Sequence, residues 1–243
     1  MPEQLWFTAF LNHHFGGAAA AMLHAVGVQP VYPNAPITNS VAMEILVIVL
    51  LLLFFIAVRA SLSVEKPGGL QHTAEALQEF IEDQAHGVIG HGYERYIPYA
   101  ITLWYFILLS NLLGLVPGFE SPTASPVVPL GCALVTFVYY HFHGIRIHRA
   151  GYIKQFIGPV WALAPLMFLI EFVSHFARIL SLTVRLYANM FAGDMVTLAF
   201  FSLVPILVPV AFLGLHLFVS LVQTFIFVML TLVYLGMAVS EEH

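Results

Sequence analysis

Charge is what this chain has least of. Asp, Glu, Lys and Arg make up only 9% of its 243 residues, 60% are hydrophobic, and the mean hydropathy is +0.90. Soluble domains carry roughly 25% charged residues, so a fold with an ordinary water-facing surface is excluded and an integral membrane protein is expected. Cysteine is reduced to Cys132, which rules out an internal disulfide. Basic tracts are missing too: the net charge is -5 and acidic residues bunch between Glu65 and Glu94, so nothing favours nucleic acid. The chain has no G-x-S-x-G and no Gly-rich loop to cradle phosphate, hence no nucleotide site of its own, and any link to nucleotide chemistry must run through partners. Twelve histidines are present, yet neither H-E-x-x-H nor a repeated H-x-x-x-H occurs, and His141, His143 and His148 read as part of a basic loop. No metal and no cofactor is expected.

Long apolar runs are what the chain does have. About 17–25 such residues cross a bilayer core. Val41–Val58 meets this length, with Glu44 near its outer end. Ile97–Val116 is a second span, with Pro98 in a first turn where the missing N–H costs nothing. Pro122, Pro126 and Pro129 mark a turn-rich connection, and Val127–Phe142 forms a short third span. Two longer stretches follow, 158–200 and 209–239, joined near Pro205 and Pro209. As helices they would reach about 65 and 45 Å, beyond the roughly 30 Å hydrocarbon core, so a strongly tilted helical hairpin packed along something large is expected.

The predicted fold is therefore all-α and integral to the membrane: one membrane domain over 1–243, with five membrane-crossing helices. Residues 5–26 are apolar but broken by Asn12, His13, His14, Gly16 and Gly17, with no preceding Lys or Arg. They read as a peripheral helix within an outer segment 1–40, a cleaved leader being the alternative. Whether Glu75–Asp83 is helix or loop stays open. Three cations (Arg59, Lys66, Arg95) flank the loop after the first span and three (Arg146, Arg149, Lys154) the loop after the third. Both loops are expected in the cytoplasm, with the N-terminus outside and Ser240–His243 inside.

The two remaining cations, Arg178 and Arg185, lie in the long fourth helix. Arg185 is surrounded by Leu182, Val184, Leu186, Met190 and Phe191. An arginine at the centre of a lone membrane helix costs roughly 2.5–3.5 kcal/mol on insertion scales and about 10–17 in simulations, so a functional site is the default reading. At about 100° per residue, Arg178, Arg185 and Asn189 share one face, Glu171 falls on the same stripe and His175 at its margin, while Asp194 points to the opposite side. His216 and Gln223 align on the fifth helix. Each has a plain structural reading: Glu171 and Arg178, a little far apart for direct contact, can snorkel or neutralise each other at a boundary. Asn189 and Gln223 can be interhelical glue, and His216 a satisfied buried histidine. Arg185 differs, because no carboxylate stands three or four residues away on its own helix.

The run Ser181-Leu-Thr-Val-Arg185-Leu-Tyr-Ala-Asn189-Met-Phe-Ala-Gly-Asp194 closely resembles the signature of subunit a of F-type ATP synthases. Ser110-Asn-Leu-Leu-Gly-Leu-Val-Pro-Gly118, Gly158-Pro-Val-Trp-Ala-Leu-Ala-Pro165 and Gln223-Thr-Phe-Ile-Phe-Val-Met-Leu-Thr231 agree in order. The resemblance implies a non-catalytic stator subunit of the membrane proton channel, with two aqueous half-channels. Arg185 would be the essential arginine facing the carboxylate of each passing rotor c subunit. Asn189, Asp194, His216, Gln223 and Glu171 would line the proton pathway, with Arg178, His175 and Ser181 as accessory positions. Asp194 stands where many relatives have Glu. The implied partners are the c-subunit ring, the peripheral stalk b subunits, the soluble catalytic sector and the lipid bilayer, in a bacterial inner membrane. The competing reading is a freestanding ion channel or secondary transporter that uses Arg185 to bind an anion.

Overall fold

A computed structural model of the chain describes residues 4–25, 27–29, 32, 35–63, 67–116, 118–149, 151–152, 164–203 and 207–239. Several expectations lie outside the described residues: the cations Lys66 and Lys154, the 158–163 opening of the fourth apolar stretch, Pro117, Pro205 and the Ser240–His243 tail. Among the described residues there are seven α-helices and no strand: α1 (Trp6–Ala25), α2 (Asn39–Ser61), α3 (Gly69–Ile89), α4 (Ile97–Leu113), α5 (Val127–His148), α6 (Ala164–Leu203) and α7 (Leu207–Val239). Asn39–Ser61, Val127–His148, Ala164–Phe200 and Val210–Val239 are long and apolar enough to cross a membrane, whereas Ile97–Leu113 is apolar but has only 17 residues.

Local chemistry sets the helix ends. Thr38 caps α2 by accepting the Val41 N–H at 3.4 Å, and Pro98 occupies the first turn of α4. The second apolar run, expected to continue to Val116, leaves the helix after Leu113. Ser121 folds back there and donates its hydroxyl to the Ser110 carbonyl at 3.0 Å, and a Cβ on Gly114 would lie 2.8 Å from the Ser121 Cβ. The third run is corrected the other way. It does not stop at Phe142 but continues to His148, so His141, His143, Arg146 and His148 sit on a helix rather than in a basic loop. Helix α5 packs closely here: a Cβ on Gly144 would come 2.5 Å from the Tyr152 ring and 3.0 Å from the Ala238 carbonyl.

The acidic stretch Glu75–Asp83 is helical, within α3. Ile81 and Ala85, four residues apart, are buried with Leu77 packed beside them, while Glu75, Glu79 and Asp83 stay exposed. Gly90 ends that helix at φ 76°, a left-handed conformation that favours glycine, with its N–H on the His86 carbonyl.

Helix α7 runs through the middle of the molecule. Its Phe227, Val228 and Leu232 join Ile81, Ile107, Leu186 and Met190 from α3, α4 and α6 in one core cluster. The α6–α7 pair is antiparallel, since Arg178 meets Tyr234, Asn189 meets Gln223, and Phe200 stacks on Phe212. Helix α1 is fixed from outside the bundle. Leu11 packs into a second cluster with Met43, Val47 and Leu113, and the Asn12 side chain both donates to the Ile37 carbonyl and accepts its N–H, each at 3.0 Å.

Candidate functional site

The buried side of α6 faces α7 through Leu182, Leu186 and Met190. At 100° per residue that stripe lies between Arg185 and Asp194, which therefore emerge on opposite flanks of the helix. Arg185 is partly exposed beside the exposed Leu180 and Val184, and its Nη2 donates to the Ser181 hydroxyl at 3.0 Å. Among the described residues no carboxylate lies within ion-pair distance of it. Its face also carries the small, exposed side chains Ala177, Ser181, Ala188 and Ala192.

One polar cluster precedes Arg185 on α6. The Glu171 carboxylate lies 3.3 Å from His175 Nδ1 and 3.9 Å from Arg178 Nη2, so the pair thought a little far for contact does reach ion-pair distance. His175 Nδ1 also lies 3.0 Å from the Glu171 carbonyl. The Arg178 guanidinium sits 5.1 Å above the Tyr234 ring. The His175 imidazole stacks on that of His141, with centroids 4.7 Å apart and planes 10° from parallel. His141 Nδ1 is 2.6 Å from the Tyr152 hydroxyl. Burial pushes the Tyr152 phenol up to about 12, so it keeps its proton. The space left within this group is about 30 Å3, room for little more than a water or two.

A second cluster follows Arg185. Asn189 donates to the Gln223 Oε1 at 2.8 Å. Asp194 Oδ1 lies 3.7 Å from Nδ1 of the buried His216, beyond hydrogen-bond length, so a proton passing between them needs a small side-chain swing or one bridging water. Gly193 makes that approach possible: a Cβ there would lie 3.0 Å from the His216 ring. A cavity of about 450 Å3 opens beside Asp194, walled by Glu120, Ser121 and Ala124, by Phe191 and Leu198, and by Asn39 and Ser40.

Sequence reasoning missed a buried polar chain that leads inward from this cavity. Ser121 and Thr123 hydroxyls lie 2.7 Å apart, Thr123 donates to the Asn111 Oδ1 at 2.6 Å, and the Asn111 amide reaches the Ser220 carbonyl and the Thr224 hydroxyl, both at 3.4 Å. The signal was visible as Ser110-Asn111 inside an apolar span, but only the fold reveals what they face. Among the described residues, Ser110 Oγ, His216 Nε2 and Gln223 Nε2 are buried without a hydrogen-bond partner. Buried polar atoms are normally paired, and these three lie on α4 and α7.

Over residues 41–236 the chain matches the family described as ATP synthase A chain. It belongs to that family. It is 62% identical, over the full length of both chains, to the ATP synthase subunit a of Koribacter versatilis. It is 46% identical to that of Solibacter usitatus, over 96% of this chain and 99% of the relative, and 37% identical to that of Geobacter sulfurreducens, over 89% and 94%. The family assignment drawn from the arginine-containing run thus holds along nearly the whole chain, and the apolar helices suit a bacterial membrane subunit.

Proposed function

We propose that this chain is the stator half of the ATP synthase proton channel, and that Arg185 confronts the carboxylate of each rotor c subunit as it passes. The observation that carries the reading is a guanidinium in an apolar helix that has a hydroxyl partner, Ser181, but no carboxylate partner among the described residues. Such a charge calls for a counter-charge from another chain. The small side chains on its face, Ala177, Ala188 and Ala192, leave room for a second helix to approach closely.

A rotor carboxylate facing lipid must be protonated, because a bare charge there is too costly. Opposite Arg185 it is stabilised in its ionised form and releases its proton, and the fixed positive charge repels protons that would otherwise cross directly. Arginine suits this role because it stays protonated where a buried lysine would not. The cluster at Asp194, His216, Asn189 and Gln223 serves as one half-channel and the cluster at Glu171, His175 and Arg178 as the other. With the N-terminus outside, the first opens to the outer face and the second to the cytoplasm. Each proton driven through contributes roughly 2.3 kcal/mol per 100 mV, so several pass per ATP made on the soluble sector. The chain itself is non-catalytic, crosses the membrane five times with α6 and α7 tilted along the c-ring, and is held by the peripheral stalk.

The test is ATP synthesis by the assembled enzyme in sealed vesicles under an imposed proton gradient. Arg185→Ala and Arg185→Lys should both abolish it with the complex still assembled; normal synthesis by either variant would refute the role. Co-purification with a ring of small hairpin subunits separates this reading from a freestanding channel.

A further inference from the structure

Glu120 belongs to no motif singled out above, yet it borders the same 450 Å3 cavity as Asp194. It sits in the connection between α4 and α5, beyond the apolar spans. Its Oε1 accepts a hydrogen bond from the Asn39 amide at 3.4 Å, and Asn39 Oδ1 in turn accepts the Leu5 N–H at 3.4 Å. One side chain thus ties three separate stretches, the start of α1, the start of α2 and the α4–α5 connection, around the opening. The N-terminal part of that wall also includes Gln4, Tyr32, Ala35, Ile37 and Thr38, with Ile37 held to α1 by its two bonds to Asn12. The cavity has room for on the order of ten waters. Its polar rim and its two carboxylates make water, rather than an acyl chain, the fitting occupant.

We propose that Glu120 is the proton-collecting carboxylate at the mouth of this cavity, delivering protons through its water to Asp194, and that the N-terminal segment is the wall that keeps lipid out. The proposal rests on the stator reading above. Each proton moves from bulk water to the Glu120 carboxylate and on through cavity water to the Asp194 carboxylate, with nothing oxidised or reduced. A fixed negative charge at a narrow opening raises the local concentration of cations and speeds their capture, which matters when protons are scarce and not when they are plentiful.

The experiment measures ATP synthesis by the whole enzyme in proteoliposomes while the pH on the supply side is varied at constant total driving force. Glu120→Gln should lose about 10-fold in rate at alkaline supply pH and little at acidic supply pH, with Glu120→Asp restoring most of the loss. A loss by the same factor at every pH, or none at any, overturns the proposal. Asp194→Asn serves as the reference: if it too leaves the rate unchanged, the half-channel reading itself fails, whereas a block there with an indifferent Glu120→Gln removes only the collecting role. Independently, Ser40→Cys and Ala124→Cys, each in a Cys132→Ser background, should react with a membrane-impermeant thiol reagent from the face bearing the N-terminus. Protection of both would mean that lipid or protein fills the cavity, and the wall would not be one.

Discussion

The two polar clusters on α6 are built from similar side chains and arranged to opposite effect. Before Arg185, Glu171, His175 and Arg178 satisfy one another, and His141, Tyr152 and Tyr234 close over them, leaving about 30 Å3. After Arg185, Asp194 and His216 stand 3.7 Å apart beside about 450 Å3. The same kinds of group therefore make a tightly packed, aromatic-lined cluster in one place and a looser carboxylate–imidazole pair beside open space in the other. What differs is the neighbours, and in particular how closely the helices approach.

The largest expected effect breaks the divide between the clusters. Arg185→Ala should eliminate coupled synthesis, whereas Arg178→Ala should leave synthesis measurable, because Glu171 keeps His175 at 3.3 Å. Equal loss in both variants, measured in the same vesicles, would erase the distinction. Next is a cycle across the Asp194–His216 pair. Asp194→Asn, His216→Ala and the double variant should show non-additive losses in proton flux; a double loss equal to the product of the singles means that the two act independently.

Smaller effects follow from packing. Gly193→Ala would press a methyl 3.0 Å from the His216 ring and should slow flux several-fold with little change in thermal stability. Gly144→Ala, at the closed cluster, would strike the Tyr152 ring and the Ala238 carbonyl and should do the reverse, costing about 1–3 kcal/mol of stability while flux changes less. Matching phenotypes for the two glycines would contradict the contrast. Smallest is His141→Phe, which keeps the stack on His175 but loses the Tyr152 bond, worth about 1 kcal/mol in a thermal melt of the purified complex.

Much of the site could be read from spacing alone. Arg185 stands out because a charge in an apolar helix has few explanations, and the 100° rule puts Asp194 on the opposite side of the helix. Element ends were less legible. The end of α4 depends on a hydroxyl eleven residues away, and the persistence of α5 to His148 depends on Tyr152 and Ala238 lying against Gly144. Glu171 and Arg178 look a little far apart for contact in sequence because helix geometry gives the separation of backbones, not the reach of two long side chains.

By itself the sequence determined the membrane, the all-helical class, the family and the identity of the exposed arginine, because each follows from local composition or from one ordered motif. The tertiary structure alone decided which polar groups meet. His141 on His175, Asn111 against Thr224 and Glu120 beside Asp194 all join residues far apart in the chain, and whether such groups end up paired or facing water is set by the spacing between packed helices, which no single helix encodes.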